Sequence, residues 1–197
     1  MLARPGPLPA FGRWSFEVKW DGFRGIVGTC GELRVRSRRG WNLTTLLPEL
    51  EALPRGLVLD GELVAFNDEG LPHFPLVCDR LLHRNAAVPV VYVIFDLLAE
   101  DGEPIVHLPY RERRARLEAL DLRSPAWQTS ERFDDGAALY ASVCERGLEG
   151  IVAKPSGSAY RPGHRGWIKV KNRDYWRYSQ ELERAHSLPT HSTAPAA

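Results

Sequence analysis

Apolar and polar residues alternate through Phe16, Glu17, Val18, Lys19, Trp20 and Asp21, a period of two that predicts a strand with Glu17, Lys19 and Asp21 on one face. Gly22 interrupts that rhythm and is expected to return residues 23–26 beside it as a hairpin. In residues 32–37, Leu33 and Val35 sit between charged neighbours, predicting a third short strand that ends in the basic turn Ser37-Arg38-Arg39-Gly40. Leu46, Leu47, Leu50 and Leu53 recur at helical spacing, so residues 44–53 are expected to form a packing helix, capped by Thr44 or Thr45 and stopped by Pro54. Residues 57–66 predict a strongly apolar strand carrying Asp60, Gly61 and Glu62, with a turn at 67–70 and a weak helix over 74–82. Residues 89–98 are the most β-rich run, and their length predicts a central strand. A helix is expected over 109–120, with Leu117 and Leu120 inward and Arg111, Arg113, Arg114 and Arg116 on a solvated face. A second helix follows over 134–146, with Asp134 or Asp135 as cap and Gly147 as stop. Two further strands, 148–155 and 167–171, flank a basic loop at 161–166. The remaining segments read as an irregular lead-in over 1–13, a charged, aromatic helix over 172–184 and a disordered tail over 188–197.

With 197 residues and 44% hydrophobic composition, the chain can bury a core as one domain with a short tail. The 26 basic and 25 acidic side chains leave a net charge of +1, so any nucleic acid must be held by a local patch rather than by a global field. Cys30, Cys78 and Cys144 are far apart, odd in number and flanked by apolar residues, which predicts reduced core thiols and a cytoplasmic location. No apolar run reaches bilayer-spanning length and no signal-peptide pattern opens the chain, so no membrane partner is expected; the default assembly is a monomer.

The chemistry lies in charged residues set into strands that would otherwise be apolar. A lysine is nucleophilic only as the free amine, which requires partial burial or nearby positive charge. Val18, Trp20 and Phe23 can provide that burial for Lys19, although the same pattern also serves an ordinary hairpin whose lysine pairs with Asp21 or Glu17. Glu62 interrupts a core strand, so it either pairs with an arginine or points into a ligand cleft. Phe95, at the end of the central strand, suits either the core or stacking on a flat ligand. Lys169 and Lys171 fall on one strand face, where like charges repel unless they share an anion such as phosphate. The arginines of the 37–40 turn suit phosphate or carboxylate, or simple solvation. If these strands converge on one cleft, the inventory of nucleophilic lysine, carboxylates, cations and an aromatic fits nucleotidyl transfer from a nucleoside triphosphate.

In order and spacing these segments resemble the collinear motifs of the covalent nucleotidyltransferases, most of all the adenylation domain of bacterial ATP-dependent DNA ligases of the small end-joining and repair type. Lys19-Trp20-Asp21-Gly22-Phe23-Arg24 is similar to the family's Lys-x-Asp-Gly-x-Arg, and Ser37-Arg38-Arg39-Gly40 and Asp60-Gly61-Glu62 to its second and third motifs. Phe95-Asp96, the run from Glu149 to Lys154, and Lys169-Val170-Lys171 resemble the later ones, so the likeness covers about residues 10–178. The resemblance implies an α+β fold, the covalent nucleotidyltransferase (ATP-grasp-like) fold, with antiparallel sheets around an AMP cleft. It implies residues 1–178 as the adenylation domain and 179–197 as a charged helix end and tail. Lys19 would attack ATP to form lysyl-AMP, with Glu17 at the adenine edge, Phe95 stacked on the ring and Glu62 on the ribose. Arg24 and Arg38 would contact ribose or phosphates, and Lys154, Lys169 and Lys171 would neutralise phosphates. Glu149 would support Mg²⁺ or Mn²⁺, while Asp21 and Asp60 are assigned no firm role. AMP would then pass to the 5′-phosphate of nicked or broken duplex DNA.

Ligases of this family continue after the fifth motif into an OB-fold, and nothing after Lys171 can build one. Three functions are therefore weighed: a ligase adenylation module helped by an OB-fold or repair protein in trans, an RNA ligase-like nucleotidyltransferase, and a non-catalytic module that binds nucleotide or DNA.

Overall fold

The structure is a computed structural model that describes residues 1–178. The tail and residues 179–184 of the expected 172–184 helix lie outside those residues; over 173–177 the backbone makes turns and a bend instead of the expected helix.

The chain opens with β1 (Ala3–Pro5), β2 (Trp14–Val18), β3 (Phe23–Gly28) and β4 (Arg34–Ser37). After two short 3₁₀ turns come β5 (Val58–Val64), α1 (Phe74–Leu81), β6 (Val91–Glu100) and β7 (Glu103–Pro104). Then follow α2 (Tyr110–Ala119), β8 (Trp127–Thr129), α3 (Gly136–Glu145), β9 (Gly150–Pro155) and β10 (Trp167–Lys171). One sheet has the order β1-β10-β9-β2, and the other runs β4-β3-β5-β6-β7 with β8 also on β6. Pairing is antiparallel except for β1 with β10 and β8 with β6. This is the α+β architecture expected.

Strand alternation sorts the side chains into three apolar clusters. Leu59, Leu63, Ile94 and Leu97 of the larger sheet pack with Val77 of α1 and Leu117 of α2. Phe16, Ile151, Ala153 and Ile168, on the back of the smaller sheet, pack with Leu139 and Val143 of α3. Between the sheets, Trp167, Tyr160, Leu98 and Met1 close with Phe95 and Val152. Where that middle cluster stops, the sheets part into a cleft.

Several expectations are corrected. β2 and β3 are not a hairpin: they belong to different sheets, so the turn around Lys19 crosses from one wall of the cleft to the other. The expected helix over 44–53 is two 3₁₀ turns, Thr44–Leu46 and Pro48–Ala52, because Pro48 lacks the amide a continuing helix needs. Leu47, Leu50 and Leu53 are buried all the same. The lead-in contains β1, and its Met1 is buried. Arg113 and Arg114 are not solvated but fully buried, because α2 lies against carboxylates of the neighbouring strands. None of the three cysteines forms a disulfide, but Cys30 is exposed and the others only partly buried, so they are not core thiols. The cap of α3 is Asp135, whose carboxylate accepts from the amides of Ala137 and Ala138.

Candidate adenylation site

Register places the site side chains on facing sheet surfaces. Glu17 of β2 lies opposite Val152 of β9, and Val152 lies opposite Lys169 of β10, so these three share the inner face of the smaller sheet. On the larger sheet Arg24 of β3 lies opposite Glu62 of β5, with Ile26 opposite Asp60 two residues along. The space between is a cleft of about 700 Å³ lined by Glu17, Lys19, Arg24, Arg38, Glu62, Phe95, Lys154 and Lys169. Lys171 and Glu149 do not line it, but adjoin it through Lys19. Among the residues it also brings in are Leu2, Trp41, Phe74 and Trp167.

Lys19 follows directly after β2, and its amide donates to the carbonyl of Gly150 at 2.8 Å. Its Nζ lies 2.5 Å from Glu149 Oε1, whereas Lys171 Nζ lies 3.8 Å from the same oxygen. Two glycines make this junction possible. A Cβ on Gly150, whose φ is +145°, would lie 2.2 Å from the Val170 carbonyl oxygen, and one on Gly22 would lie 2.2 Å from that of Leu63. Burial holds Lys169 below the ordinary lysine range, with Lys19 adding to the effect, and brings Lys171 down to about 8 against the pull of Glu149. The repulsion expected between these lysines is thus present, at the place where an anion would relieve it.

At the opposite end, Lys154 is buried, and its Nζ donates to Glu17 at 2.6 Å and to the Phe95 carbonyl at 3.1 Å. That ammonium lies 4.5 Å from the ring centres of both Phe95 and Trp167. Tyr110 donates its hydroxyl proton to Glu17, and Arg114 Nη1 lies 3.9 Å from the same carboxylate. Burial pulls the Lys154 ammonium below its ordinary value despite Glu17. Lys154 is therefore placed beside the aromatic wall, away from Lys19 and Glu149. Arg24 is held as a fork by Asp60 at 2.9 and 2.6 Å, and Tyr160 donates to the same carboxylate at 2.9 Å. That arrangement resolves the question over Glu62: Asp60 takes the arginine, and Glu62 faces the cleft.

Burial pushes Glu62 up to about 8, although Lys19 and Arg24 oppose it. A carboxyl raised on folding stabilises the fold most below its unfolded value and loses that contribution as pH rises towards 8. Glu62→Gln is therefore expected to gain stability relative to wild type between about pH 4.5 and 8, by at most about 1.4 kcal/mol per pH unit, and to level off above. Thermal unfolding across a pH series checks this; a difference independent of pH contradicts it.

Sequence reasoning missed Tyr110 and Arg114, which hold Glu17, as well as the Tyr160 and Trp167 wall. Their signals were weak: arginines on a helix ordinarily read as solvated, and aromatics as core. Among the described residues no group of three or more His, Cys, Asp or Glu side chains that could hold a metal ion occurs, so Glu149 has no ready-made set of protein co-ligands. Oε1 of Glu149 faces the Lys19 ammonium, while Oε2 is buried without a hydrogen-bond donor among the described residues. A single acid of this kind suits Mg²⁺ or Mn²⁺ that takes its remaining ligands from phosphates and water.

Two sheets around a cleft, with a lysine at the crossing between them, define a nucleotidyltransferase fold. Residues 8–171 match the family model described as the ATP dependent DNA ligase domain, and the chain belongs to that family. It is 36% identical over 182 residues to the multifunctional non-homologous end joining DNA repair protein LigD of Mycobacterium tuberculosis, a match covering 87% of this chain and 24% of that protein. The crystal structure of the ligase domain from M. tuberculosis LigD superposes with a TM-score of 0.75 at 35% identity, covering 86% of this chain and 59% of that one. Mycobacterial DNA ligase D complexed with ATP and MES gives 0.73 at 34% identity, covering 86% and 58%. The chain thus spans about a quarter of the length of LigD. No helix among the described residues is long and apolar enough to cross a membrane.

Proposed function

We propose that residues 1–178 form the adenylation domain of an ATP-dependent DNA ligase, in which Lys19 is charged with AMP. The observation that carries this reading is the crossing turn, which presents Lys19 at a cleft with cations at one end and an aromatic wall at the other. ATP enters with its base on Phe95 and the base edge towards Glu17, its ribose at Glu62 and its α-phosphate near Lys19, Lys169 and Lys171. Lys19 Nζ sheds a proton, for which Glu149 Oε1 is the adjacent acceptor, and attacks the α-phosphorus. A P–N bond forms, the bond to the pyrophosphate oxygen breaks, and pyrophosphate leaves with the electron pair. Lys169 and Lys171 offset the charge that develops on the phosphates. Arg24, already oriented by Asp60, and Arg38 face the ribose and the phosphates. Glu149 would hold the divalent ion, which when bound neutralises phosphate charge. In the following steps a DNA 5′-phosphate oxygen takes AMP from Lys19, and the 3′-hydroxyl of the nick displaces it.

The LigD relatives, with end joining in their names, support nicked or broken duplex DNA as the substrate. The placement of Lys154 against Glu17 favours a role in orienting that carboxylate over direct phosphate contact. An OB-fold or repair protein in trans is the proposed partner for sealing.

Intact mass of the purified chain before and after ATP with Mg²⁺ tests the reading. A gain of one AMP, mapped to the peptide of Lys19 and reversed by pyrophosphate, is expected. ATP binding without a mass gain, with an OB-fold protein present or absent, would instead identify a binding module. Phe95→Ala is expected to weaken ATP binding by about 1–3 kcal/mol, the range for losing one stacking partner, as read by calorimetry.

A further inference from the structure

Asp21 occupies the middle of the crossing turn yet is not the partner of Lys19. Its carboxylate is buried, and it is held from the segment that follows β10: Tyr175 donates its hydroxyl proton to Oδ2 at 2.7 Å, and Arg177 Nη1 donates to both oxygens. Tyr175 and Arg177 are themselves buried. The Arg177 guanidinium lies 3.8 Å from the ring centre of Phe74, and Phe74 stacks on Phe23 at 5.2 Å, so the arginine is packed as well as paired. The same segment grips the other side of Lys19. Asn172 donates its amide to the Glu149 carbonyl at 2.9 Å and its Nδ2 to the Leu148 carbonyl at 3.0 Å. Asn172, Tyr175 and Arg177 therefore hold both the turn that carries Lys19 and the residue its Nζ reaches. All three lie beyond residue 171, where the match to the family model ends.

We propose that residues 172–177 are a clamp that positions Lys19 for attack, with Tyr175 and Arg177 as positioning residues acting through Asp21. The inference rests on Lys19 being the nucleophile. A buried carboxylate that loses its charged partner seeks a new one, and Lys19 lies two residues away on the same turn. Without Arg177 the turn shifts and the ammonium moves off its line towards the cleft. Displacements of about 1 Å at a nucleophile cost on the order of 10²-fold in rate, with far less effect on binding.

The test uses the full chain and its Arg177→Ala, Arg177→Lys and Tyr175→Phe variants. Single-turnover adenylation at saturating ATP gives the rate, and ATP affinity is measured in a Lys19→Met background. Hydrogen exchange over residues 15–24 reports the turn itself. Arg177→Ala is expected to slow adenylation about 10–100-fold with ATP affinity within about threefold and faster exchange over the turn. Tyr175→Phe, which removes one hydroxyl and keeps the ring, follows in the same direction by about tenfold or less, and Arg177→Lys recovers part of the rate. Unchanged rate and exchange in Tyr175→Phe and Arg177→Ala overturn the clamp, as does a rate loss that follows ATP affinity. Faster exchange at an unchanged rate reduces the segment to a structural tie and also overturns it. A wild-type chain that gains no AMP overturns the assignment of Lys19 and the positioning role with it, and exchange then reports only whether the turn is tied.

Discussion

Lys19→Met is expected to abolish the AMP adduct, a fall on the order of 10⁴-fold or more in self-adenylation, while ATP binding survives. The size follows from chemistry: no other amine occupies the crossing turn, and Lys169 and Lys171 project from β10, which β9 separates from β2. Lys154 is held by Glu17 and the Phe95 carbonyl. Methionine also leaves Glu149 buried with Lys171 as its remaining cation, at 3.8 Å, so some stability is lost as well. Lys19→Arg separates the two effects. A guanidinium keeps a positive charge beside Glu149 but stays protonated and does not attack phosphorus. Wild-type thermal stability with no adduct is the expected result for that variant. An adduct that persists in either variant would move the nucleophile elsewhere.

Arg113→Ala is expected to have the largest effect on stability. Arg113 and Asp96 are both fully buried and joined by a fork of 2.8 Å bonds from Nε and Nη2. Arg113 Nη1 also donates to the carbonyls of Leu108, at 2.6 Å, and Ser158, at 3.1 Å. Burial already raises the Asp96 carboxyl, and Arg113 is what opposes that shift. Without the arginine, Asp96 is a buried acid with no fork to satisfy it, a change that costs about 3–5 kcal/mol. For a chain of this size that lowers the melting temperature by about 6–20 °C. Removing both partners, as Arg113→Met with Asp96→Leu, is expected to recover most of the loss, because the penalty belongs to the stranded charge. Calorimetry on the single and double variants gives the coupling directly. A double variant no better than Arg113→Ala would place the cost in the lost carbonyl contacts. Since Asp96 follows Phe95 in β6, the single variant is also expected to loosen the aromatic wall of the cleft.

β2, β4 and β10 could be read from period-two alternation of residue type, whereas β5, β6 and β9, buried on both faces, were legible as apolar, β-rich runs. Strands of two or three residues, β1, β7 and β8, are shorter than the period needs and left no trace. Pro48 was a local signal that the helical spacing of the leucines obscured. The residues that resemble ligase motifs come together: most of those given site roles share one cleft, and Glu149 and Lys171 join it through Lys19.

Residue type and order by themselves determined the longer sheet-forming segments, Lys19 as the candidate nucleophile and the family, since periodicity and short motifs are local properties of the chain; that the turn at Lys19 crosses between the sheets was not among them. The tertiary structure alone decided which charges meet. Asp21, Asp60 and Asp96 each gained an arginine from a distant element, Glu62 was left to face the cleft, and Lys154 was drawn to Glu17. Such pairings depend on which strands become neighbours and on burial, which makes an unpaired charge too costly to keep.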